Sequence, residues 1–112
     1  MYSNDEIMQF VYIIVEVADP DRIILFGSYA YGEPDDKSDI DLLVIKNGKE
    51  YSMDEEAKLE TRIYYKKKEQ GLRMRNDLLF ATESQARAIA ARGGADNDAL
   101  EKGIVLYERQ HQ

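Results

Sequence analysis

A chain of 112 residues, 44% hydrophobic and 33% charged, has material for one domain with a modest core, residues 1–112, and not for two. A formal net charge of −7 lacks the positive footprint of a general nucleic-acid binder. With no cysteine, disulfides and thiolate-held metals are excluded, which fits a reducing compartment.

In chain order, Ser3-x-x-Glu6 is a capping box and predicts a helix start. The apolar positions Ile7, Phe10, Val11, Ile14 and Val17 or Ala18 then form one stripe, which reads as core, and Asp19-Pro20 ends the helix. The run from Phe10 to Val15 is far too short to span a bilayer. Asn4-Asp5-Glu6 ahead of it lacks the positive flank of a signal peptide, so a cytoplasmic protein without a membrane anchor is expected.

Two short, branched-rich apolar runs follow, at about Arg22–Phe26 and after Asp41 through Ile45, each bounded by turn residues as buried strands are. Gly27 directly after the first lets backbone approach a ligand, having no Cβ. Ser28 and the residues through Tyr31 can open a short helical turn whose unpaired amides suit phosphate oxygens.

The second run begins oddly, with Asp39-Ile40-Asp41. On a strand, positions i and i+2 share a face about 6.6 Å apart. Two carboxylates at that distance repel by about 2.5 kcal/mol at an effective dielectric near 20. A divalent cation between them reverses the sign. An all-oxygen donor set, with no His or Cys nearby, suits Mg²⁺ or Mn²⁺ rather than zinc. The intervening acids Glu33, Asp35 and Asp36 lie beside Gly32 and Pro34 and read as solvated turn residues.

Asn47-Gly48-Lys49 is a turn, and Ser52-x-x-Glu55 is a second capping box. It opens a long helix to about Gln70, with Gly71 as its stop. Arg62, Lys66, Lys67 and Lys68, with Arg73 and Arg75 beyond, are either a solvated helix end or a cationic wall for a triphosphate or an acidic partner. A third strand is expected over Leu72–Ala81. Asp77 stands beside its apolar end, where a carboxylate needs a partner. A salt bridge to Arg73 or Arg75 is the plain alternative to a chemical role.

Thr82-x-x-Gln85 caps a further helix to about Arg92, broken by Gly93-Gly94. Asp96 or Asn97 could cap a last short helix before Gly103. Ile104 to Tyr107 either add a small strand or pack on the core. His111, the one histidine, lies in the last three residues, where no catalytic role is expected.

The ordered combination of strand, Gly27-Ser28, ten residues, Asp39-x-Asp41 and strand resembles the signature of the DNA polymerase β-like nucleotidyltransferase superfamily. The run "LFGSYAYGEPDDKSDIDLLVI" is most similar to its minimal nucleotidyltransferase branch, small prokaryotic proteins often paired with a HEPN-domain toxin. "NDLLFAT" resembles the strand that carries the third acid, here Asp77. The resemblance implies an α/β fold, a small mixed β-sheet with helices packed against it. The element order would be helix, strand, short helix, strand, helix, strand, helix.

For the site, the resemblance implies a nucleoside triphosphate, most simply ATP, with its phosphates against Gly27 and Ser28. It implies two Mg²⁺ ions (or Mn²⁺) on Asp39, Asp41 and Asp77, the three acids being both metal ligands and catalytic groups. The implied acceptor is a protein hydroxyl, a tyrosine of a HEPN toxin, receiving AMP, which would make this chain an antitoxin. One departure is that the branch often has a basic residue where Tyr31 stands. The alternative is a non-catalytic acidic module that neutralises a basic toxin by binding it, since charge complementarity speeds association.

Overall fold

The capping box at the start of the chain is made. Ser3 Oγ accepts from the Glu6 amide at 3.1 Å, and Glu6 Oε1 accepts from the Ser3 amide at 3.0 Å. This opens α1, Asn4–Ala18, in a computed structural model that describes residues 1–91 and 100–110. The expected stripe is buried, with Ile13 added to it. Asp19 turns the chain out of the helix at φ 48°, ahead of Pro20.

The remaining elements are β1 (Arg22–Phe26), α2 (Ser28–Tyr31), β2 (Ile40–Ile45), α3 (Met53–Glu69), β3 (Asn76–Ala81), α4 (Glu83–Ala91) and β4 (Ile104–Glu108). The four strands make one mixed sheet in the order β3-β2-β1-β4. β1 runs antiparallel to both β2 and β4, while β2 and β3 are parallel. A parallel pair needs a crossover long enough to return the chain to the same end, and α3 supplies it. The expected α/β class holds, and the open choice at Ile104–Tyr107 falls to a strand.

Both faces of β1 and β2 are covered, which explains their unbroken apolar runs. Ile23, Leu25, Ile40, Leu42, Val44 and Leu78 face α1 and α3. Ile24, Phe26, Leu43, Ile45 and Ala81 face the other way, where Ala86 of α4 joins them. Asp41 belongs by alternation to this second face, at its open end.

The third strand is shorter than expected. Leu72 and Met74 are buried, but the ladder begins only at Asn76. Lys67 Nζ donates to the Met74 carbonyl at 2.8 Å and also to Asn76 Oδ1, so a side chain satisfies a buried backbone group on the side of the chain away from β2. This answers part of the question posed by the basic run. Lys66 pairs with Glu16 at 2.6 Å, Lys67 is buried over the Phe10 ring, and Lys68 lies over Tyr64.

α3 ends as the sequence predicts, with Gly71 at φ 73° just beyond its cap. Thr82 and Gln85 cap α4 reciprocally at 2.8 and 3.1 Å. The expected helix end at Arg92, the Gly93-Gly94 break, the Asp96 or Asn97 cap and His111 lie outside the described residues. Among the described residues no helix is long and apolar enough to cross a membrane.

Candidate active site

The site is assembled at the end of β1 and the beginnings of β2 and β3. Leaving β1, Gly27 takes φ 72° and ψ −156°, a backbone region that only glycine occupies without strain. Space demands glycine as well. A Cβ at this position would lie 2.1 Å from Asp41 Oδ2, because Phe26 is the cross-strand partner of Asp41 and the chain folds back over that carboxylate.

Ser28 then opens α2, whose Ala30 and Tyr31 amides donate to the Gly27 carbonyl at 3.0 and 3.1 Å. The amides of Ser28 and Tyr29 come too early in the turn to have a helical carbonyl of their own. Gly32 keeps the turn tight, since a Cβ there would meet Ser28 Cα at 2.9 Å. The Tyr29 ring stacks on Tyr2 at 5.9 Å, and its hydroxyl accepts from the Tyr2 amide at 3.2 Å.

The loop acids behave as turn residues. Asp35 Oδ1 accepts from the Lys37 amide at 2.8 Å and from Ser38 Oγ at 3.2 Å, while Asp36 meets the N-terminal amine at 3.1 Å. Glu33 is exposed.

The acids from the strands come together. Asp41 and Asp77 are register partners on parallel neighbours, so their side chains leave the same face of strands that lie about 4.8 Å apart. Asp39 is two residues before Asp41, where the pairing is already under way, because the Ile40 amide donates to the Arg75 carbonyl at 2.9 Å. Asp41 is half-buried, whereas Asp39 and Asp77 are exposed. Burial, and then the negative charges of Asp77 and Asp39, push the Asp41 carboxyl above the ordinary carboxylate range. Nearby on α3, burial first and then Glu56 and Asp77 push Glu60 upward too.

Among the described ion pairs, one cation reaches this group. Arg75 Nε lies 3.1 Å from Asp39 Oδ1. The salt bridge weighed for Asp77 is not made: among the described residues no ion pair joins Asp77 to Arg73 or Arg75, and Arg75 turns to Asp39 instead. No three acidic, histidine or cysteine side chains among the described residues stand ready as a set to hold a metal ion. The chemistry of the donors nevertheless suits a hard divalent cation. They are carboxylates alone, two of them in register, with a proton held on Asp41 more tightly by burial and then by its negative neighbours.

Three residues around the site were not singled out in the sequence: Tyr2, Lys67 as a buried clamp, and Arg75 as a partner of Asp39. Lys67 had a signal, since it follows the buried Ile63 by four positions and so shares its helix face. Tyr2 donates nothing to a local pattern; its hydroxyl accepts from the Arg75 amide at 3.0 Å across 73 residues of chain.

The family described as nucleotidyltransferase domain matches residues 7–106. The fold is similar to that of a crystal structure from Sulfolobus solfataricus, a protein provisionally described as a nucleotidyltransferase. The likeness covers 96% of this chain and 91% of that one, with a TM-score of 0.59. At 21% identity it is a likeness of fold. No curated protein matches the chain.

Proposed function

The chain belongs to the nucleotidyltransferase domain family, and we propose on that premise that it moves AMP from ATP to a hydroxyl acceptor, using Asp39, Asp41 and Asp77. The observation that carries this reading is the in-register pair Asp41 and Asp77, with Asp39 beside it and Gly27 folded against the Asp41 carboxylate.

In this reading Gly27 and the Ser28 turn bind the phosphates, and Asp39 and Asp41 would hold a Mg²⁺ ion, with a second shared with Asp77. Bound there, the ions would neutralise charge on the phosphates and sharpen the acceptor hydroxyl as a nucleophile. Asp77, exposed at the edge of the sheet, accepts the hydroxyl proton as the new oxygen–phosphorus bond forms. The bond from the α-phosphorus to the bridging oxygen breaks, and pyrophosphate leaves. A half-buried Asp41 in contact with Gly27 keeps one ligand fixed while its two exposed partners adjust.

The acceptor we favour is a tyrosine of a HEPN-domain toxin, which makes the chain an antitoxin that acts by adenylylation. In this reading the acceptor is recognised by a partner surface or by the exposed face of this domain. A second reading, a non-catalytic acidic module that neutralises such a toxin by binding, has one observation in its favour: Asp39 is already engaged by Arg75.

The test is incubation of the protein with a HEPN-domain partner, Mg²⁺ and ATP labelled on the α-phosphate. Label on a partner tyrosine and release of pyrophosphate support transfer. A partner that stays unlabelled and is still inhibited favours the binding module.

A further inference from the structure

We propose that Arg75 is a binding residue for the triphosphate, parked on Asp39 until a divalent cation takes over that carboxylate. The inference rests on the nucleotidyl-transfer reading and names a residue that this reading leaves without a part.

The phosphate-facing turn brings no cation of its own, because residues 27–36 contain neither Lys nor Arg. The first basic residue after it, Lys37, has its amide bound into the Asp35 turn. Arg22 is held by Glu83 at 2.6 Å, and Lys46 reaches Asp19. Among the described ion pairs, only that of Arg75 touches the three aspartates.

Its backbone is fixed from three sides. The Arg75 carbonyl accepts from the Ile40 amide at 2.9 Å, and its amide donates to the Tyr2 hydroxyl at 3.0 Å. Lys67 holds the residues on either side, Met74 and Asn76. Tyr2 stacks on Tyr29, the residue after Ser28, so the anchor of Arg75 also touches the phosphate turn. The side chain beyond that anchor is 56% exposed, and its ion pair with Asp39 is the one contact of its guanidinium among the described ion pairs.

Its present contact is weak, an exposed pair screened by solvent. A divalent cation on Asp39 cancels the charge that holds the guanidinium and repels it. A triphosphate arriving with that cation offers planar sets of anionic oxygens, which the guanidinium fork matches two at a time. Arg75 therefore performs two tasks in turn: it relieves repulsion among the empty aspartates, and it supplies the cation that the Ser28 turn lacks.

The experiment measures equilibrium binding of an ATP analogue with a methylene bridge between the α- and β-phosphorus, and of AMP, in excess Mg²⁺. The proteins are wild type, Arg75→Gln and Arg75→Lys. Melting of each with Mg²⁺ alone gives a second readout.

Loss of a charge-assisted contact predicts that Arg75→Gln weakens the analogue by about tenfold or more while AMP changes little. Arg75→Lys should recover part of the loss, with charge but no fork. With its competitor gone, Arg75→Gln should also need less Mg²⁺ to reach its full rise in melting temperature. Arg75→Gln that binds the analogue as tightly as wild type overturns the proposal and leaves the transfer reading standing. So does an equal loss for AMP and the analogue. If Arg75→Gln does not fold, Arg75→Lys decides, and wild-type affinity in it together with an unchanged Mg²⁺ requirement counts against the role. A wild type that binds no analogue at all removes both proposals together.

Discussion

Replacing Asp41 by Asn should make the metal-free protein more stable, because it removes a half-buried charge that faces two others of the same sign. Asp41 and Asp77 are register partners, so their carboxylates lie about 5 Å apart on neighbouring strands. Two unit charges at that distance repel by roughly 0.8 kcal/mol at the dielectric of water and 3.3 kcal/mol at an effective value of 20. Asp77 is exposed and Asp39 is already paired with Arg75, which favours the lower end, about 1 kcal/mol. For a domain of this size that is about 4 °C in melting temperature.

The assay is thermal melting at pH 7 and low salt, first with a chelator and then with Mg²⁺. In chelator the Asn variant should melt above wild type. Mg²⁺ at ten times its dissociation constant should raise wild type by about 1.4 kcal/mol and the variant by less, closing the gap.

The pH dependence has a fixed sign. Burial first, then Asp77 and Asp39, raise the folded-state value of Asp41 above the 3.8 of the free side chain, so the folded chain holds this proton more tightly than the unfolded one. The resulting penalty is complete above the raised value and fades as pH falls toward 3.8. The advantage of the Asn variant should therefore shrink on acidification. A variant that melts below wild type in chelator at pH 7 would refute the view that Asp41 is held in net repulsion with Asp77.

Three further substitutions probe the same site. Asp39→Asn should abolish label transfer while changing the melting temperature little, because loss of the exposed Arg75 contact, worth at most about 1 kcal/mol, is offset by relief of repulsion with Asp41; wild-type transfer by this variant counts against the metal role. Gly27→Ala should lose about 1–3 kcal/mol to backbone strain and, by driving a Cβ into the Asp41 carboxylate, should also lose the Mg²⁺-dependent rise in melting temperature. Retention of that rise would detach Gly27 from the metal ligands. Lys67→Met should cost about 1–3 kcal/mol in a denaturant titration, since the buried Met74 carbonyl loses its donor; an unchanged midpoint would show that the clamp on β3 is dispensable.

What the sequence reveals of this site divides by the range of the interactions involved. Capping boxes, the α1 stripe and the Gly71 stop are signals between residues a few positions apart, and each stands as expected. The pairing of Asp39 with Asp41 is likewise local, because strand alternation puts i and i+2 on one face. Asp77 is different. Its distance in sequence from Asp41 says nothing about register, and a slip of one residue would send it to the opposite face. Family resemblance supplied that candidate, and the β2–β3 ladder is what sets the two side by side.

The parts not legible beforehand are those in which a side chain answers a distant backbone group. Lys67 reads as one more solvated cation at a helix end, yet it is buried and holds the Met74 carbonyl just ahead of the β3 ladder. Tyr2 reads as a terminal residue, yet it bridges the Ser28 turn and the Arg75 amide. These two contacts bear on function through one consequence. They fix the backbone at residues 74–76, and so determine both where Asp77 emerges and which aspartate Arg75 can reach. A sequence that kept all three acids but lost Lys67 or Tyr2 would keep the motif, while the entry to β3 that aligns its third carboxylate would lose its support.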